Sequence, residues 1–171
     1  MIKTGKEHLS QLRDGRVVYI GDEKIDDVTT HPAFEKAAQK VAELYDIKHQ
    51  EIYKDVLSYE ENGELCSTWF LQAKNKSDLR KRSKAHKVIA DQTSGMMGRS
   101  MDHVASFVTG MSTNPDIFDS GKYKFKENLL NYYKYMKKND VFASYAVVPP
   151  QAARNPEFYQ KQNLKLFIIK L

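Results

Sequence analysis

The sequence predicts a mainly α-helical domain with a small β-hairpin near the N-terminus and a β segment near the end. Three observations predict it. Apolar residues recur at three- and four-residue steps in four separate stretches, the spacing of helices with one buried face. The first β-rich run is short and breaks at Gly21-Asp22, as a hairpin would. After Asp140 the period changes: Val141 to Val148 is a β-prone run stopped by Pro149-Pro150.

Taken in order, residues 5–15 read as a short helix with Leu9 and Leu12 on one side, ended by Asp14-Gly15. Arg16 to Ile20 and Lys24-Ile25 flank the hairpin turn. Thr29-Thr30-His31-Pro32 signals a helix start, a hydroxyl to cap and a proline for the first turn, before a stripe of Phe34, Ala37, Ala38, Val41, Leu44 and Tyr45. Residues 47–72 are less periodic, with a turn near Asn62-Gly63 and with Trp69, Phe70 and Leu71 as core plugs. Ser77 is placed to cap a helix running toward Ser94, with Leu79, His86, Ile89, Ala90 and Thr93 near one face. Gly95 to Gly98 interrupts it, and Ser100 then caps a helix carrying Val104, Phe107, Val108 and Met111. Phe125, Leu129, Tyr132, Tyr133 and Met136 mark a last helix, whose closing lysines suit the helix dipole.

Composition narrows the function classes. The chain has 171 residues, 41% hydrophobic, enough for a core, and a mean hydropathy of −0.62. No apolar run approaches the roughly 20 residues that span a bilayer, and no signal-peptide pattern opens the chain. Cys66 is the one cysteine, so it can form no internal disulfide and cannot by itself build a zinc or iron–sulfur site. A cytoplasmic protein with no metal and no membrane partner is expected. The net charge of +5 is modest, and the basic run Arg80 to Lys87 carries no interleaved aromatic for base stacking, so it reads as a solvated helix face and not a nucleic-acid surface. There is no P-loop, dinucleotide fingerprint, zinc helix or nucleophile elbow.

Three clusters could carry chemistry. In Gly98-Arg99-Ser100-Met101-Asp102-His103 a glycine turn delivers Arg99 to a helix start, one turn before His103. A guanidinium fork at a positive helix end favours an anion or phenolate, and an imidazole adds a group that titrates near neutral pH. The same spacing also fits a capped interhelix turn. In Ser144-Tyr145 followed by Val148-Pro149-Pro150-Gln151-Ala152-Ala153-Arg154, a stiff proline pair either presents Gln151 and nearby amides to a ligand or ends a strand. Tyr132-Tyr133-Lys134-Tyr135 has the spacing of core and rim.

In sequence order, Leu12-Arg13-Asp14-Gly15-Arg16-Val17-Val18-Tyr19, Asp27 to Phe34, Gly98 to His103, Asn131 to Tyr135 and Val148 to Arg154 resemble the 4-hydroxyphenylacetate 3-hydroxylase family, from about residue 1 to about 163. The resemblance implies a group D flavin monooxygenase with an acyl-CoA-dehydrogenase-like fold: residues 1–140 would be its helical N-terminal domain and residues 141–171 the start of a truncated β-barrel. It implies reduced FAD from a separate flavin reductase, a phenolic substrate such as 4-hydroxyphenylacetate, oxygen, and a homotetramer for the full-length member. The family's substrate contacts are an Arg, a Tyr four residues later and a His in the strand before the proline corner. Here Arg99 keeps the first, while His103 and Tyr145 stand at the other two, imidazole and phenol exchanged. Catalytic roles are therefore expected at Arg99, His103 and Tyr145, and cofactor contacts at Tyr145, Gln151, Ala152, Ala153 and Arg154. Lys165 to Leu171 departs from the family's continuation, so the chain is expected to be incomplete and inactive alone. The alternative expectation is a non-catalytic helical interaction module or remnant of that family.

Overall fold

The computed structural model describes residues 2–96 and 103–144. Within them the elements run α1 (Gly5–Gln11), β1 (Val18–Ile20), β2 (Glu23–Ile25), α2 (Glu35–Asp46), α3 (Glu51–Leu57), β3 (Ser58–Glu61), β4 (Glu64–Ser67), α4 (Lys76–Gln92), α5 (His103–Ser112) and α6 (Lys126–Lys138). Short 3-10 turns lie at Ile47–His49, Thr68–Phe70 and Pro115–Asp119. The strands form two antiparallel hairpins, Val18 opposite Ile25 in one and Ser58 opposite Ser67 in the other. The helical class and the first hairpin are as expected. The second hairpin lies where the sequence offers only a turn signal, now seen as left-handed Asn62 and Gly63 at its tip.

One core serves the whole arrangement. Val41, Leu44 and Tyr45 of α2, Leu57 of α3, Trp69 and Phe70, Ala85 and Ile89 of α4, Ala105 and Val108 of α5, and Tyr133 and Met136 of α6 are buried against one another. Periodicity identified most of these, because burying an apolar stripe is the main return a helix gains from packing.

Several local expectations are corrected. α1 buries Gly5 and His8, not chiefly Leu9 and Leu12, and it ends at Gln11. Its start is closed by a reciprocal Thr4–Glu7 capping box. Thr29 does not cap α2: its hydroxyl donates to Asp27 Oδ1 (2.7 Å) and accepts from Arg13 Nη2 (2.7 Å), and the helix begins only at Glu35. The aspartate two residues earlier competes for the threonine in a local turn. Asn75, not Ser77, caps α4, accepting from the Asp78 backbone N–H at 3.0 Å. Leu79 is exposed, and Ala85 and Ile89 face inward. On α5 the buried residues are Ala105, Val108, Thr109 and Ser112, while Phe107 and Met111 are exposed. Residues 141–144 pair with no strand among the described residues, and the rest of the expected strand, like the Ser100 cap, lies outside them.

Candidate functional site

Three helix ends flank the residues singled out above: the end of α4, the start of α5 and the end of α6. Of those residues, His103 is described; Arg99, Tyr145, Gln151, Ala152, Ala153 and Arg154 lie outside the described residues. α4 closes with Thr93 Oγ1 donating back to the Ile89 carbonyl (2.9 Å) and Gly95 N–H to the Ala90 carbonyl (2.8 Å). Ser94 and Gly95 both take left-handed backbone there, which ends the helix and turns the chain. His103 opens α5, half-buried, its ring centroid 4.7 Å from that of Phe107 one turn on, inclined by 58°.

The three helices are pinned to one short turn. A buried 3-10 turn leaves carbonyls that must find donors. Arg82 of α4 supplies a guanidinium to the carbonyls of Trp69 (2.8 Å) and Leu71 (2.9 Å) and to Ser106 Oγ of α5 (2.6 Å). Thr109 of α5 donates to the Trp69 carbonyl (3.1 Å), and Gln72 Nε2 to Ser112 Oγ (2.8 Å). Tyr133 of α6 and Tyr59 of β3 both donate to the Phe70 carbonyl, at 2.7 and 3.2 Å. This explains the inward face of α5: the Thr109 hydroxyl satisfies the Trp69 carbonyl and the Ser112 hydroxyl accepts from Gln72, which Phe107 and Met111 could not do. It also revises the basic run, since Arg82 is tied into the interior and not merely solvated.

The end of α6 holds a buried ion pair with no counterpart in the sequence reading. Lys48 is fully buried, with its Nζ 2.7 Å from Asp140 Oδ2, 2.9 Å from Ser67 Oγ, and 4.2 Å from the ring centroids of both Tyr45 and Trp69. Ser67 Oγ donates to Asp140 Oδ1 (2.6 Å), the Lys3 backbone N–H to Oδ2 (3.0 Å), and Tyr45 OH to the Asp140 carbonyl (2.8 Å). Burial lowers the affinity of Lys48 for its proton, and Asp140 opposes that loss. Burial pushes the Asp140 carboxyl up, but Lys48, Ser67 and the Lys3 N–H together hold it below its ordinary value. Both partners are therefore held as ions. His8 stacks on Tyr45 at 4.9 Å; burial, then the positive charges of Lys3 and Lys48, lower its pKa to about 4. Lys48, Ser67 and Asp140 are far apart in sequence, so no spacing signal could have joined them.

A groove of about 670 Å³ runs beside this cluster, lined by Lys3, His8, Phe34, Val41, Phe142 and Ser144 among others. Residues 141–144 thus leave the ion pair along a cavity wall. Among the described residues no group of three His, Cys, Asp or Glu could hold a metal, and burial raises the Cys66 thiol pKa, which disfavours a thiolate. No helix among them is long and apolar enough to cross a membrane.

Residues 4–170 match the family described as "4-hydroxyphenylacetate 3-hydroxylase N terminal". The match runs past residue 163, where the resemblance was expected to end. The chain is 40% identical over 156 residues to the 4-hydroxyphenylacetate 3-monooxygenase oxygenase component of Thermus thermophilus, covering 90% of this chain and 31% of the relative. It is 37% identical over 155 residues to the 4-nitrophenol 2-monooxygenase oxygenase component of a Rhodococcus species, covering 89% of this chain and 29% of that relative. A crystal structure of a 4-hydroxyphenylacetate 3-monooxygenase oxygenase component with FAD and 4-hydroxyphenylacetate superposes with a TM-score of 0.81 at 38% identity, over 91% of this chain and 32% of that one. The chain therefore spans about a third of the length of the proteins it matches and has the fold of the N-terminal, helical part of an acyl-CoA-dehydrogenase-like architecture.

Proposed function

The chain belongs to the 4-hydroxyphenylacetate 3-hydroxylase family, matching its N-terminal portion, and from that membership we propose that it supplies the helical part of a reduced-flavin-dependent monooxygenase that hydroxylates a phenol beside its hydroxyl group. The observation that carries this reading is the similarity to an oxygenase component crystallised with FAD and 4-hydroxyphenylacetate. Residues 1–140 are the helical domain in this reading, and residues 141–171 begin a β-barrel. The full-length protein is a cytoplasmic homotetramer served by a separate flavin reductase.

Arg99 and Tyr145 hydrogen-bond the phenolic oxygen, and His103, at the start of α5, takes its proton. Arg99 also favours the phenolate so formed, because a charged N–H donor hydrogen-bonds an anionic oxygen more strongly than a neutral one. Tyr145, Gln151, Ala152, Ala153 and Arg154 contact the flavin. The residues assigned to the flavin suit an anionic ligand: residues 141–156 contain no Asp or Glu. Reduced FAD, when bound, supplies the oxygen-activating chemistry; the protein orients the phenol and excludes water.

The test uses the native full-length protein with a flavin reductase, FAD and 4-hydroxyphenylacetate as probe. The wild type is expected to form the ortho-dihydroxy product. Arg99→Ala should form none while oxygen still oxidises the reduced flavin. Wild-type hydroxylation by that variant would overturn the assignment, and a wild type that hydroxylates no phenol would return the non-catalytic module.

A further inference from the structure

Asp140 stands where a helix ordinarily ends on glycine. Its φ is +44°, and the Val141 N–H closes back on the Met136 carbonyl at 3.1 Å, the pattern that terminates a helix through a left-handed residue. Glycine adopts that conformation without strain, whereas an aspartate there is uncommon and, buried, brings a charge that must be compensated. Here the compensation is complete: both carboxylate oxygens have donors, the carbonyl takes Tyr45 OH, and the counter-ion Lys48 lies between two aromatic rings. A buried ion pair is a weak source of stability, because desolvation offsets most of the attraction. What it does impose is direction, since the carboxylate accepts from donors on three separate segments: Lys3, Lys48 and Ser67.

The geometry points to the Lys48–Asp140–Ser67 cluster as a positioning device that sets the course of residues 141–144, the stretch that precedes Tyr145 in the sequence. Val141, Phe142 and Ala143 pack against the core directly after this anchor, and Phe142 and Ser144 line the groove. The role rests on the reading above that Tyr145 serves the phenol and flavin. Lys48, Ser67 and Asp140 are positioning residues and touch neither ligand.

The test compares the full-length wild type with Lys48→Met/Asp140→Gly, which removes both charges and the tether while keeping a residue that favours the left-handed turn. The double variant should fold but melt several °C below wild type, because replacing the pair itself is often close to neutral whereas the Lys3 N–H and Ser67 Oγ lose their acceptor. Amide hydrogen exchange over residues 142–144 should accelerate by about tenfold or more while α4 amides are unchanged. The fraction of flavin oxidation that yields hydroxylated product should fall by about tenfold. Wild-type exchange at 142–144, wild-type product yield, or a general loss of protection that includes α4 each overturns the proposal. Should the double variant not fold, Ser67→Ala keeps both charges and removes one carboxylate donor. About threefold changes in the same two readouts support the device, and none overturns it. A wild type that hydroxylates no phenol defeats the functional reading instead, and the exchange comparison still judges whether the cluster directs residues 142–144.

Discussion

Gly5→Ala tests how closely α1 and α2 pack. A Cβ at Gly5 would lie 2.5 Å from the Ala42 carbonyl oxygen, 2.9 Å from its carbon and 2.6 Å from Asp46 Oδ2. The carboxylate can rotate, but the carbonyl belongs to the backbone of α2 and cannot. α1 would have to withdraw by roughly 1 Å to restore ordinary contact. That movement stretches the Gly5 N–H···Asp46 Oδ1 bond, now 2.7 Å, and loosens His8 from Tyr45. Alanine's helix propensity returns about 0.5–1 kcal/mol, overpacking costs about 1–3 kcal/mol, and weakening a hydrogen bond to a charged acceptor costs about 1 kcal/mol more. The net expectation is a loss of about 2 kcal/mol. Urea unfolding followed by the fluorescence of the single, buried Trp69 reads it directly. Ser10→Ala, on the exposed side of the same helix, is the control and should be neutral or slightly stabilising. A Gly5→Ala protein as stable as wild type would refute the close-approach argument.

Two further outcomes follow from the interior. Arg82→Lys keeps the charge but loses the fork that serves the Trp69 and Leu71 carbonyls and Ser106 together; it should cost about 2 kcal/mol, and a loss below about 0.5 kcal/mol in the same urea experiment would show that the fork is dispensable. His8 is buried with its pKa lowered to about 4, so the unfolded chain binds a proton there that the folded chain does not. Its contribution is complete above the ordinary histidine range and is lost as pH falls toward 4, by up to roughly 3 kcal/mol. His8→Phe should flatten the stability profile between about pH 6.5 and 4, and an unchanged profile would remove His8 as the source.

Much of the fold was legible because helices announce themselves locally. Val41, Leu44 and Tyr45, then Ile89, then Tyr133 and Met136 fall on the apolar stripes their spacing draws, and all are buried. α5 was legible as a helix but not in its orientation. Hydropathy turns Phe107 and Met111 inward, whereas the structure turns Ala105, Thr109 and Ser112 inward, because Thr109 answers a carbonyl of the Trp69 turn and Ser112 answers Gln72. A charge in a sequence reads as solvated, which hid Lys48 and Asp140, 92 positions apart and buried together.

The sequence by itself determined the helical class, the first hairpin, the helix stripes and the family, since each is written in residue types at short spacing or in motifs kept in order. It also named Arg99, His103 and Tyr145, through motif and not through geometry. Only the tertiary structure decided which helix faces turn inward, which turn receives Arg82, Thr109 and Tyr133, and how Asp140 is held where the chain leaves α6. Those outcomes depend on where buried polar groups find partners, and the partners come from segments that no local pattern connects.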